Sequence, residues 1–596
     1  MNSFDKPDVE QFFRTFSIQR FAVSPDEKQL VFSTNLAGKY DLWAIDLPVL
    51  FPYPLTFNGQ NCHHLLFDKQ GRFLLASFDR DGDENAQIYA LPPSGGPMKP
   101  VRLAEKKQNH PVHLSGDGKR LYYYSNKENG TFINSYCYHI DENREELILE
   151  GKEAPTYLGK VSEDEQTLVY YKFFANTYIL AYVKRKEGKP VCLTSEQAAQ
   201  HTVSDVEFYD DDRLLVVTNY GADFSYLAEF DLNTNRLTEM LTLKNEEIKK
   251  IKLNRKDSEL YLVTCKGVED FLYRLDLQTR ELTRMEVPAS VIGQIAVSDA
   301  GNLYLLGNRA TRPWNIYRLK KGSTKWETLT RFGVPGVPEE DLIEPEVLTY
   351  PSYDGTPIEA LFFRAKPESS NGHVILWPHG GPQAAERKNF RALFQFLLHQ
   401  GYSIFAPNFR GSIGYGIRFS KKVEGDWGHG PRLDNIAGLD WLIRNGYADR
   451  KKIFLMGGSY GGYMALLLAG RHPEYFKAVV DIFGPSNLFT FINSVPEHWK
   501  PAMKQWVGDP EKDRQKLIED SPDTYLDHMV KPMLVIQGAN DPRVVKAESD
   551  RIVEKLKKKG VDVEYLVLED EGHGFSKKEN EILVYRKVFQ FFNRFL

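Results

Sequence analysis

A short turn followed by an apolar strand recurs seven times in the first half of this 596-residue chain. The copies read SPDEKQLVF, DKQGRFLLA, SGDGKRLYYY, SEDEQTLVYY, DDDRLLVV, RKDSELYLV and SDAGNLYLL. Their aligned leucines are Leu30, Leu74, Leu121, Leu168, Leu214, Leu260 and Leu303, with spacings of 44, 47, 47, 46, 46 and 43 residues. Most copies are followed by a second strand ending near an Asp, as in YDLWAIDL and FLYRLDL. A unit of that length made only of short strands cannot bury both its faces alone, so such units stack around an axis as β-propeller blades. Seven copies predict seven blades. The competing reading is a pair of β-sandwiches with evenly spaced turns. No copy ends in Trp-Asp, so the common forty-residue propeller repeat is not matched.

From about residue 340 the period changes. Continuous apolar strands now alternate with amphipathic helices, the pattern of a mostly parallel sheet covered on both faces. The expected strands are HVILWP (373–378), YSIFAPN (402–408), KIFLMG (452–457), FKAVVDIFG (476–484), MLVIQG (533–538) and VEYLVLE (563–569). EVLTYPS and IEALFFRA, flanking Asp354-Gly355, form a hairpin before them. Pro7 and the stripe Val9, Phe12, Phe13 and Phe16 predict a helix over 6–17 that docks on this second half. The expected organisation is thus an N-terminal helix in 1–20, a seven-bladed propeller in 21–335 and a doubly wound α/β-hydrolase domain in 336–596.

Composition narrows the partners. With 76 Lys and Arg against 81 Asp and Glu the formal charge is −5, which leaves no electrostatic footprint for nucleic acid or anionic lipid. No window approaches an apolar span, and the first residues lack a signal-like n-region and h-region, so a cytoplasmic protein is expected. Cys62, Cys137, Cys192 and Cys265 are spaced for neither a disulfide framework nor a zinc knuckle. Cys62-His63-His64 is better read as a buried thiol beside two surface imidazoles than as a metal site, because adjacent strand residues face opposite ways. No metal and no cofactor are expected.

The chemistry centres on KIFLMGGSYGGYMALLLAG, where a buried strand runs through Gly457-Gly458-Ser459-Tyr460-Gly461 into a helix. G-x-S-x-G at a strand-to-helix junction exposes a nucleophilic serine on a sharp, closely packed turn, with glycines expected because the backbone leaves no room for side chains on either side of the serine. The orienting acid and the base follow in order on later strand ends: Asp541 in Gly538-Ala539-Asn540-Asp541, and His573 in Glu571-Gly572-His573-Gly574. Asp570 is the rival acid. His379-Gly380-Gly381-Pro382, expected just before a helix, supplies an oxyanion loop, with the backbone N–H groups of Gly381 and Tyr460 as donors. The glycine run 411–416 lacks the strand-to-helix setting of a nucleotide loop.

These motifs, together with Asn408-Phe409-Arg410-Gly411-Ser412 and Gly425-Asp426-Trp427-Gly428, resemble the prolyl oligopeptidase family of serine peptidases, and within it the acylaminoacyl-peptidase subgroup. The resemblance implies an enzyme that cleaves short peptides, with the propeller excluding folded proteins and N-acylated residues released first. It implies that Arg543 faces the peptide or closes a loop salt bridge. It also implies that Phe489, Phe491, Ile492 and Trp499 line the S1 pocket or simply pack the core. A dipeptidyl aminopeptidase, a general oligopeptidase or carboxypeptidase and an esterase are the enzymatic alternatives. The first of these needs a propeller carboxylate pair, for which Glu145-Glu146 and Glu246-Glu247 are available. A propeller interaction protein with an inactive hydrolase domain is the reading from another class. Oligomeric state is left open.

Overall fold

The structure, a computed structural model, describes residues 7–596. Seven four-stranded antiparallel sheets span 18–54, 62–102, 109–149, 156–192, 203–241, 247–285 and 291–328. Each aligned leucine lies in the second strand of its blade. Six of the seven are buried, and Leu168 is half-buried, so the repeat marks the strand that neighbouring blades cover from both sides.

Every sheet is built from four consecutive strands, so no strand is shared where the last blade meets the first. Apolar packing makes that junction, with Ile18, Phe21, Leu30 and Phe32 against Tyr304, Leu306 and Ile316. Two bonds between the Gln294 side chain and the Phe21 backbone add to it, as do Asn302 and Tyr304 donating to Glu27. The Cys62–Phe67 strand carries the CHH motif. His63 and His64 are half-buried there, not on the surface as expected. No group of three or more potential metal ligands occurs among the described residues.

The second half is one eight-stranded sheet: β1 Glu346–Pro351, β2 Pro357–Phe363, β3 Val374–Leu376, β4 Ser403–Pro407, β5 Ile453–Gly458, β6 Val479–Ile482, β7 Met533–Gly538 and β8 Val563–Leu568. Their order is β1-β2-β4-β3-β5-β6-β7-β8; β1, β2 and β4 pair antiparallel and all later pairs are parallel. The strands alternate between two apolar layers, Leu455 and Val535 facing one and Phe454 and Leu534 the other, which is why they read as unbroken apolar runs. No helix among the described residues is long and apolar enough to cross a membrane.

The N-terminal helix α1 is shorter than expected, Val9–Phe13. Asp8 caps it by accepting from the N–H groups of Glu10 and Gln11, so Pro7 precedes the cap instead of opening the helix. Residue 6 lies outside the described residues. Phe12 and Phe13 are buried against Phe396 and Tyr585, on helices α2 (Ala392–His399) and α8 (Lys578–Asn593). Each such ring contributes about 1.5–3 kcal/mol by leaving water. Phe16 lies beyond the helix, edge-on to Phe332.

Candidate active site

At the end of β5 the backbone turns sharply. Ser459 has φ 58° and ψ −122°, a strained conformation for any residue with a side chain, and helix α4 (Tyr460–Arg471) begins immediately after it. A Cβ on Gly457 would lie 2.2 Å from the Gly461 carbonyl oxygen, and one on Gly461 would lie 2.1 Å from that of Pro378. Those two glycines are therefore required. Gly458, next to the serine, differs from expectation: a Cβ there would meet only ordinary contacts, the nearest at 3.6 Å.

The structure brings Ser459, His573 and Asp541 into line. His573 Nε2 lies 2.9 Å from Ser459 Oγ, and Nδ1 donates to Asp541 Oδ2 at 2.6 Å. The Asp541 carboxylate is buried and also accepts the N–H groups of Arg543 and Val544, at 2.9 and 3.0 Å, so its geometry is held from its own loop. Asp570 does not compete: it pairs with Lys577 at 2.6 Å. The ring of Phe483 packs 4.5 Å from His573 and fixes its plane.

Glu571, which the sequence reading passed over, supports the histidine loop. Its buried carboxylate accepts from Ser576 N and Oγ, Lys577 N and Asn580 Nδ2, all within 3.0 Å. Its position two residues before the histidine was the only available signal. Gly82, in a propeller loop, was also passed over; it abuts Gly572 and is separated from it by nearly the whole chain.

The HGGP loop lies against the nucleophile: a Cβ on Gly380 would be 3.5 Å from that of Ser459. Gly381 has φ 127° and a cis bond to Pro382. Tyr460 is the first residue of α4, so its N–H has no carbonyl of its own helix to bond, and the start of the helix carries partial positive charge. These are the two expected oxyanion donors. His379 anchors the loop through Nδ1–H to the Gly380 carbonyl (2.7 Å), Nε2 beside Ser412 Oγ (2.8 Å) and stacking on Phe409. Burial draws its pKa down to about 4, so it stays neutral at pH 7. The helix expected directly after the loop starts only at Ala392. The glycine run 411–416 likewise leads into a single helical turn, Ile417–Ser420.

The remaining candidates separate. Arg543 closes a salt bridge to the propeller, Nε to Glu84 Oε1 at 2.8 Å. Phe491 and Ile492 are buried in the core, Phe491 against Trp427, which in turn packs on Tyr460. Phe489 is half-buried beneath Arg514. Trp499 lines a cavity of about 340 Å³ with Tyr157, Phe173, Met503 and Trp506. The carboxylate pairs are already engaged: Glu145 by Arg102, Lys127 and Tyr123, Glu146 by Arg144, Glu246 by Thr264, and Glu247 by the Gly416 N–H.

Comparison with known proteins agrees with this geometry. Residues 388–596 match the model of the prolyl oligopeptidase family. A Caenorhabditis elegans protein named dipeptidyl peptidase family member 6 is 26% identical over 85% of this chain and 75% of its own length. Dipeptidyl aminopeptidase BIII of Pseudoxanthomonas mexicana is 41% identical over 35% of this chain and 31% of its own. Acylamino-acid-releasing enzyme 1 of Oryza sativa subsp. japonica is 28% identical over 38% and 30%. A puromycin-hydrolyzing peptidase of Mycobacterium tuberculosis superposes with TM-score 0.88 at 18% identity, covering 100% of this chain and 97% of that one, and so shares the two-domain fold. A propeller joined to a hydrolase sheet, a serine on a strained elbow and the family match converge on the C-terminal domain, which over residues 388–596 matches the serine peptidases of the prolyl oligopeptidase family.

Proposed function

We propose that the chain releases N-acylated residues from the amino termini of short peptides through an acyl-enzyme on Ser459. The alignment of Ser459, His573 and Asp541 carries the mechanism. His573 takes the serine proton as Oγ attacks the scissile carbonyl, Gly381 and Tyr460 N–H groups hold the oxyanion, and the imidazolium returns the proton to the departing amine. Water then repeats the cycle on the ester. Asp541 keeps the imidazole in the tautomer with Nδ1–H and stabilises its charge.

The cavity lined by Tyr157, Phe173, Trp499, Met503 and Trp506 supports the acyl specificity. It holds no carboxylate, and the buried Trp506 Nε1 has no partner, which suits a neutral apolar group carrying one carbonyl oxygen. Trp427 stands between the cavity and the serine elbow, its buried ring packing on both Trp506 and Tyr460.

One observation favours a second reading, a dipeptidyl aminopeptidase. Glu424 accepts only from neutral groups, Gln383, Thr177 and Gln505, and has no ion pair among the described residues. Gln383 adjoins the HGGP loop and also binds Asn176 of the aromatic cavity, so this carboxylate is placed to take a free α-ammonium. Comparing kcat/KM on an acetyl-aminoacyl anilide, a free-amino dipeptidyl anilide, a carboxyl-blocked peptide and a simple ester separates the two. The first substrate should be preferred; preference for the free dipeptide assigns the second reading instead.

A further inference from the structure

A second cavity, of about 370 Å³, lies between the first two blades and the histidine loop. Its wall includes His573, Gly574 and Phe575, but neither Ser459 nor the HGGP loop. That placement sorts the two halves of a peptide. The acyl half stays covalently on Ser459, whereas the amine half must receive its proton from His573 and so departs on the histidine side.

The propeller wall of this cavity carries Gln19, Arg20, Asn61, His63, Asp79 and Glu84. Its two carboxylates already have neighbours: His63 Nε2 lies 3.2 Å from Asp79, and Arg543 pairs with Glu84. Arg20 has none. Among the described residues its guanidinium makes no ion pair and no hydrogen bond, and its Nε is fully enclosed. Burial lowers its pKa, and the thiol of Cys62 is the one group that opposes the shift. A guanidinium taken out of water without a carboxylate is costly, and an arriving anion would recover that cost through a forked pair of hydrogen bonds.

We infer that Arg20 receives the C-terminal carboxylate of the departing peptide, so that the enzyme measures its substrates from the carboxyl end as well as from the scissile bond. This rests on the peptidase reading of Ser459. It gives the propeller a second role: beyond excluding folded chains, its first blade selects peptides whose free carboxyl end falls within the cavity.

The test uses one acetylated short peptide in two forms, with a free carboxylate and with a carboxamide, on the full chain and on Arg20→Met and Arg20→Lys. Methionine keeps much of the apolar stem, and lysine keeps the charge without the fork. The native chain should show a KM at least about tenfold lower for the free acid, Arg20→Met should abolish that ratio, and Arg20→Lys should retain part of it. A ratio equal in native and Arg20→Met chains, or cleavage of both forms by the native chain without preference, overturns the assignment alone. Cleavage of neither form by the native chain overturns the N-acyl-peptide reading of Ser459 and the assignment together.

Discussion

Gly82 of the propeller and Gly572 of the histidine loop meet backbone to backbone: a Cβ on Gly82 would lie 2.6 Å from Gly572 N, and one on Gly572 would lie 2.0 Å from Gly82 O. Neighbouring contacts reinforce this approach. Lys577 bridges Asp81 and Asp570, Asn540 donates to the Asp81 carbonyl, and Arg543 pairs with Glu84. One loop of the second blade therefore braces both the loop carrying His573 and the loop carrying Asp541. His573 is thus positioned from two domains.

Gly82→Ala tests that bracing. Its φ of 76° already disfavours a side chain, and the methyl group has only backbone to displace. We expect kcat to fall by up to about 100-fold, as a misplacement near 1 Å can cost, while circular dichroism remains native. Unchanged kcat would show that the histidine loop holds its shape without the propeller.

Asp541→Asn should reduce kcat by up to about 10⁴-fold, because asparagine stabilises the wrong imidazole tautomer and cannot offset the imidazolium. Asp570→Asn should cost only a few-fold, through a weaker hold on Lys577. Steady-state kinetics of both variants decide it, and the reverse ranking would exchange the two roles.

Asp481, at the end of β6 beneath the elbow, is fully buried, and burial raises its pKa from 3.8 to about 8. Its Oδ1 accepts the Gly484 N–H, and its Oδ2 has no partner. A carboxyl that holds its proton more tightly when folded loses stability as pH rises from the unfolded pKa near 4 to the folded one near 8. The cost accumulates by up to about 1.4 kcal/mol per pH unit across that window. Asp481→Asn keeps the acceptor and removes the titration. Its thermal midpoint, relative to the native chain, should therefore climb between pH 5 and pH 8.5. A difference independent of pH would show that Asp481 is not protonated in the folded chain.

Much of this architecture was legible because it is local or periodic. The seven leucines fall on seven second strands because every blade faces the same packing problem. The β7 strand, Met533–Gly538, matches its expected span because an apolar run between Pro532 and Ala539 has no alternative end. Ser459, Asp541 and His573 were findable because each sits where a strand stops. What escaped depends on contacts distant in sequence. Gly82 looks like any turn glycine in RDGDEN, and nothing local indicates that another backbone presses against it. Arg20 sits on an ordinary strand, and only the folded ring shows that no carboxylate meets it. The helix over 6–17 was overextended because the apolar stripe continues past Phe13 although the helix does not; Phe16 is half-buried and packs on the propeller residue Phe332 instead.

The nucleophilic role of Ser459 is checked by reacting the native chain and Ser459→Ala with a fluorophosphonate and measuring the intact masses. One adduct is expected on the native chain, mapped to the peptide containing Ser459, and none on Ser459→Ala, which should also lose peptide hydrolysis. An adduct of equal yield on Ser459→Ala would contradict it.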